Sequence, residues 1–158
     1  MKHFTLAAFS VERRIAAVAV FHSTRLEDIQ QRHILPDINK ASGSVRELVT
    51  RTIEHQTPDF VAISCPSAKA GSRIRTLCDV INEVATAFGI PVMEIDESTL
   101  RLAYGYPPLV RKEHVREAGR TIWPSLKDVK SKRAVVDAVT VGLYVQTERL
   151  FSLYEEGT

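Results

Sequence analysis

Cysteine is nearly absent from this sequence: Cys65 and Cys78 are the only two among 158 residues. That excludes a small secreted domain stapled by disulfides, and a reducing, cytoplasmic setting is expected. With so few cysteines and widely spaced histidines, a zinc site is not expected either. Long apolar runs are missing too. No stretch approaches the about 20 residues of a membrane span, and Met1-Lys2-His3-Phe4-Thr5 opens no signal-peptide core with a small-residue cleavage site. No glycine-rich phosphate loop follows the first apolar stretch, which argues against a doubly wound nucleotide-binding fold. A large charge imbalance is also lacking, since the net charge is only +2.

What is present reads as one domain over residues 1–158, with 44% hydrophobic and 25% charged residues. Its charge is unevenly placed. Residues 101–133 carry nine Lys or Arg against three acids, for a net +6, while residues 1–100 sum to −1 and residues 134–158 to −3. A stretch of that kind is either a footprint for phosphate or a solvated face.

Two apolar strands open the chain, Phe4–Phe9 and Ile15–Phe21, with Ser10 to Arg14 short enough for a hairpin between them. A third strand around Asp28–Leu35 alternates more, as an edge strand does. A helix is expected to open at Ser44, where Ser44-Val45-Arg46-Glu47 has capping-box form, and to stop at Pro58-Asp59. Phe60–Cys65 reads as a buried strand. Ser72–Phe88 reads as a helix burying Ile74, Leu77, Ile81, Val84 and Phe88, with Gly89 as its left-handed cap. The last strand is Ile90–Ile95. A Tyr104–Pro108 loop, a helix over Lys112–Ile122 and a final helix over Ser131–Leu153 complete the order. In that final helix Ala134, Ala138 and Gly142 form a row of small residues. Three antiparallel strands followed by helix-connected parallel strands give a mixed five-stranded α/β sheet with helices on both faces.

Four local patterns then fall in a familiar order: Pro58-Asp59-Phe60-Val61-Ala62-Ile63, Ile90-Pro91-Val92-Met93-Glu94, Lys112-Glu113-His114-Val115 and Asp137-Ala138-Val139-Thr140-Val141-Gly142. Together they resemble the RuvC-type Holliday junction resolvases, whose fold is RNase H-like. The resemblance spans roughly residues 4–145 and implies two-metal phosphodiester hydrolysis, which needs clustered carboxylates to hold two Mg²⁺ or Mn²⁺ ions. By the same resemblance the four acids of the family fall at Ser10, Ser64, Ala134 and Asp137, and only the last is acidic. A hydroxyl is a weak neutral ligand and Ala134 supplies no ligand atom. One carboxylate cannot hold two divalent ions against their repulsion. The expectation is therefore a non-catalytic relative without a metal or other cofactor, which binds branched or duplex DNA as a homodimer.

Competing readings attach to single residues. Asp137 is either a leftover metal ligand or an acid satisfied by Ser10 or Ser64. A rearranged metal site would draw on Asp137 with Glu12 and Glu94. A cysteine nucleophile built from Cys65, His114 and Asp137 is disfavoured, because nothing places the histidine beside the cysteine. Tyr104 and Tyr106 either stack on unpaired bases beside Arg111, Lys112 and Arg116 or cover the sheet end. Lys69 and Arg73 are further candidates for phosphate, although the 66–72 segment lacks the aromatic that the family presents to an opened junction. By resemblance the Ile74–Phe88 helix is the dimer element, with Leu77, Cys78 or their neighbours as candidates for the second interface.

Overall fold

A computed structural model describes residues 4–23, 25–65, 72–96, 98–100 and 133–148. The Tyr104–Pro108 loop and the Lys112–Ile122 helix lie outside that set. The described elements are β1 (Thr5–Val11), β2 (Ile15–His22), β3 (Arg25–His33), α1 (Ile38–Gln56), β4 (Phe60–Cys65), α2 (Ser72–Ala87), β5 (Val92–Asp96) and α3 (Arg133–Thr147). The strands form one five-stranded sheet in the order β3-β2-β1-β4-β5. The pairs β1–β2 and β2–β3 are antiparallel, whereas β1–β4 and β4–β5 are parallel. This is the mixed sheet expected from the element order.

The central strands are apolar on both sides because both sides are covered. Ala7, Phe9, Val11, Val18, Val20 and Ile63 pack with the buried stripes of α1 and α2. Leu6, Ala8, Ala17, Ala19, Phe21 and Ala62 pack with α3 on the opposite face. The second face is floored largely by alanine and meets the Ala134/Ala138 row, so α3 can lie close to the sheet. Gly142 is where the approach is tightest: a Cβ built there collides with the Phe21 ring, coming within 3.0 Å of Cζ and 3.1 Å of Cδ2 as well as closer to Cε2. Phe21 is fully buried and has no room to yield.

Two glycines therefore give opposite expectations. Gly43 sits inside α1 with nothing within 4 Å of an added Cβ, so Gly43→Ala should stabilise by up to about 1 kcal/mol through helix propensity alone. Gly142→Ala gains the same propensity but overpacks the α3 seam at a cost of about 1–3 kcal/mol, and a net loss is expected. Urea midpoints that move in opposite directions for the two variants are the check. A gain at Gly142 would mean that α3 stands off the sheet.

Several boundaries differ from expectation, among them that of β5, which runs over Val92–Asp96 rather than Ile90–Ile95. The first helix opens not at Ser44 but at Ile38, where Asp37 is the N-cap and its side chain accepts from the Lys40 backbone N–H at 2.9 Å. Ser44 lies inside the helix, and its carbonyl accepts from Arg32. The edge strand β3 runs over Arg25–His33 rather than Asp28–Leu35, with a register irregularity between Val20 and Phe21. At the end of α2, Phe88 is 48% exposed instead of core-facing, because the helix has given way to the turn that Gly89 closes with φ +75°.

Candidate functional site

The parallel pair β1–β4 sits where the chain's connections diverge, with β2 and β3 on one side and β5 on the other. In open α/β sheets the crevice at such a switch point, beyond the carboxyl ends of the strands, is where ligands bind. Ser10 and Ser64 are direct register partners there. Adjacent strands lie about 4.8 Å apart. Alternation along β1 and β4 puts both serines on the side of Leu6, Ala8, Phe60 and Ala62, which is the α3 face.

α3, which carries the other two positions, covers that same face of the sheet. Gly142 rests on Phe21, and Phe21 is paired with Leu6 near the start of β1. Eight residues back along α3 to Ala134 is about 12 Å, close to the roughly 13 Å from Leu6 to Ser10 along the strand. The helix packs on β1, β2 and β4, and its length from Gly142 to Ala134 matches that run of β1. Ser10, Ser64, Ala134 and Asp137 are 1%, 4%, 0% and 4% exposed. Asp137 is not without a partner in the fold.

Two hydroxyls, one methyl group and one carboxylate do not fit a pair of hard divalent cations, which need several anionic oxygens to offset their charge. The rearranged alternative also loses a member. Glu94 alternates with Met93 and Ile95, which belong to the α3 face, so it lies on the other side of the sheet from Asp137. There it is held by Arg75, whose Nη2 lies 3.0 and 3.1 Å from its two carboxylate oxygens. Among the described residues no three His, Cys, Asp or Glu side chains gather as metal ligands. A cavity of about 170 Å³ between β2, β3 and the end of α1, lined by Asp28, Gln30, Arg51, Thr52 and His55, opens on the α1 side and is separate from the four positions.

Of the expected phosphate contacts, Lys69, Tyr104, Tyr106, Arg111, Lys112 and Arg116 lie outside the described residues, as does His114. Arg73 is described, and it has another task. Its Nη1 donates to the Pro36 carbonyl and its Nη2 to the Leu35 carbonyl, both at 2.7 Å, and Nη2 and Nε reach the Arg13 carbonyl at 3.2 and 3.4 Å. The guanidinium ties the start of α2 to the β1–β2 turn and to the β3–α1 connection, with four donor contacts already committed. The sequence reading missed Arg13 and Arg14. Both are exposed in the β1–β2 turn beyond Ser10, and neither forms an ion pair among the described residues. Leu77 and Cys78 cannot supply the second interface, since both are fully buried in the core against the sheet.

No protein-family model matches the chain, and no curated protein matches its sequence. Among the described residues no helix is long and apolar enough to cross a membrane. Solved structures do match. The structure of Thermus thermophilus RuvC superposes with a TM-score of 0.74 at 16% identity, covering 92% of this chain and 96% of that one. The T. thermophilus RuvC complex with a Holliday junction substrate gives 0.73 at 17% identity, over 94% and 96%. The fowlpox virus resolvase with its substrate Holliday junction DNA gives 0.64 at 12% identity, over 92% and 99%. The fold of this chain is therefore the RNase H-like α/β fold in the arrangement shared by RuvC and related Holliday junction resolvases.

Proposed function

We propose that this chain is a DNA-binding, non-cleaving counterpart of the junction resolvases, which engages branched or duplex DNA as a cytoplasmic homodimer. The observation that carries the reading is the replacement of three acid positions by Ser10, Ser64 and Ala134 in a fold whose T. thermophilus and fowlpox relatives have been solved with junction DNA. Neutral side chains there also remove a repulsion. A cluster of carboxylates without metal repels phosphate, whereas two hydroxyls and a methyl group do not, so DNA can approach this end of the sheet with no cation present. Arg13 and Arg14 flank that end, and by their residue types Lys69, Arg111, Lys112 and Arg116 extend the phosphate-binding set, with Tyr104 and Tyr106 available to stack on unpaired bases.

The deciding experiment incubates the purified full chain with a labelled four-way junction in EDTA, Mg²⁺ and Mn²⁺. Binding that persists in EDTA, with no nicking in either metal, is the expected outcome. Cleavage that requires Mg²⁺ or Mn²⁺ and disappears with Asp137→Asn would establish a nuclease instead. Absence of any salt-sensitive DNA binding would favour a protein-interaction role for the same fold.

A further inference from the structure

The connection from β1 to β2 runs over Glu12, Arg13 and Arg14, and its backbone is held from within the hairpin and from outside it. Within, the Glu12 N–H donates to the Ile15 carbonyl at 2.8 Å. From outside, the Ile34 N–H donates to the Arg14 carbonyl at 2.8 Å. The Arg13 carbonyl accepts from Arg73, through Nη2 at 3.2 Å and more weakly through Nε. The same guanidinium fixes Leu35 and Pro36, the two residues that follow Ile34. A planar fork of donors suits that task, because one side chain can satisfy three carbonyls from two segments at once. It is also delivered from a firm base. Arg73 lies one turn ahead of Leu77 on α2, and Leu77 is fully buried in the core. The turn's backbone is thus ordered while the side chains of Arg13 and Arg14 stay exposed.

We propose, resting on the DNA-binding reading above, that Arg73 is a positioning residue of that interface: it presets the β1–β2 turn so that Arg13 and Arg14 meet the phosphate backbone as one ordered grip. Arg73 strengthens binding without placing its own donors on DNA, since they are committed to the Arg13, Leu35 and Pro36 carbonyls. Ordering a loose segment on binding weakens affinity, and a turn already ordered in the free protein avoids that loss. The effect of removing Arg73 is therefore transmitted through Arg13 and Arg14. A direct phosphate contact, the long-range field of its charge, or general damage to the fold would act whether or not those two arginines are present.

The test is a double-mutant cycle on the full chain, read as affinity for a labelled four-way junction at low salt. Arg73→Gln should weaken binding roughly tenfold in the otherwise wild-type chain, the order expected when one residue's backbone is left to be ordered by the ligand. In a chain already carrying Arg13→Ala and Arg14→Ala, the same substitution should change affinity by less than about twofold. Equal losses in the two backgrounds would overturn the proposal and leave DNA binding in place. A wild-type chain that binds no DNA would remove the interface itself, and the proposal with it. Hydrogen exchange on the wild type gives a second reading that needs no variant to fold. The Glu12 and Ile34 amides, bonded across and behind the turn, should be protected before any junction is added. Fast exchange at both amides in the free protein, slowed only once the junction is bound, would mean that DNA orders the turn, and would overturn the proposal as well.

Discussion

The triple variant Ser10→Asp, Ser64→Glu and Ala134→Asp is expected to lose most of its stability in EDTA and to regain part of it on adding Mn²⁺. The three positions are at most 4% exposed, and so is Asp137. A buried charge without a partner costs several kcal/mol. Three of them beside a fourth carboxylate consume a large share of the about 5–15 kcal/mol that holds a domain together. The pH dependence follows in sign. Burial and like charges raise a carboxyl's folded-state pKa above its unfolded value near 4, so the penalty is absent below that value and grows as pH rises above it. The variant should therefore unfold more readily at pH 7 than at pH 4, relative to wild type. A divalent ion that binds only the folded state stabilises by about 2.7 kcal/mol at a hundred times its Kd, whereas the wild-type midpoint should not respond. Urea titrations with and without Mn²⁺ read both effects. A triple variant as stable as wild type in EDTA at pH 7 would mean that the four positions do not converge.

The centre of the sheet was legible because burial on both faces leaves a plain mark in sequence. Phe60–Cys65 is read at its true bounds, and β1 and β2 within two residues, from uninterrupted apolar runs. The start of α1 was not, for a physical reason. Gly43-Ser44 imitates punctuation followed by a cap, while the real cap, Asp37, follows Pro36 and has no glutamate at the third helical position to complete a box. The glycine is tolerated because Ala41, Val45, Leu48 and Val49 bury enough surface to outweigh its about 1 kcal/mol cost. Phe88 continued the apolar spacing of α2, but periodicity does not say where a helix stops relative to its core.

The site was legible in a different measure. Resemblance identified Ser10, Ser64, Ala134 and Asp137; the register of β1 on β4 pairs the two serines, and α3 covers their face of the sheet. Charge counting worked less well. Arg13 and Arg14 vanish in a segment whose net charge is −1, and only the topology sets their turn at the carboxyl edge beside Ser10. Arg73 shows the converse. An arginine near the candidate loop reads as a phosphate ligand until the fold presents three backbone carbonyls to it. Glu94 has the right chemistry for a metal and lies on the wrong face, which a strand period of two reveals only once a neighbour's orientation is known.

Affinity for a four-way junction is expected to fall about a thousandfold between 50 and 200 mM monovalent salt. If Arg13, Arg14, Lys69, Arg111, Lys112 and Arg116 each neutralise one phosphate, counterion release sets a log–log slope of about −0.9 for each contact, or roughly −5 in all. The substitution that separates this interface from a generally basic surface is Arg13→Ala with Arg14→Ala. Both side chains are exposed and neither forms an ion pair among the described residues, so the fold should tolerate their loss. Removing two contacts should flatten the slope by about 1.8 and weaken binding roughly 60-fold at 0.1 M salt, with much less difference near 1 M. Lys112→Ala with Arg116→Ala should do the same, and uniformly across junction sequences, because phosphate contacts carry no base information. Fluorescence anisotropy over a salt series measures slope and affinity together. An unchanged slope in the Arg13/Arg14 variant would remove the β1–β2 turn from the DNA interface. An affinity lost equally at every salt concentration would instead indicate damage to the fold, because a lost phosphate contact matters most where counterions are scarce.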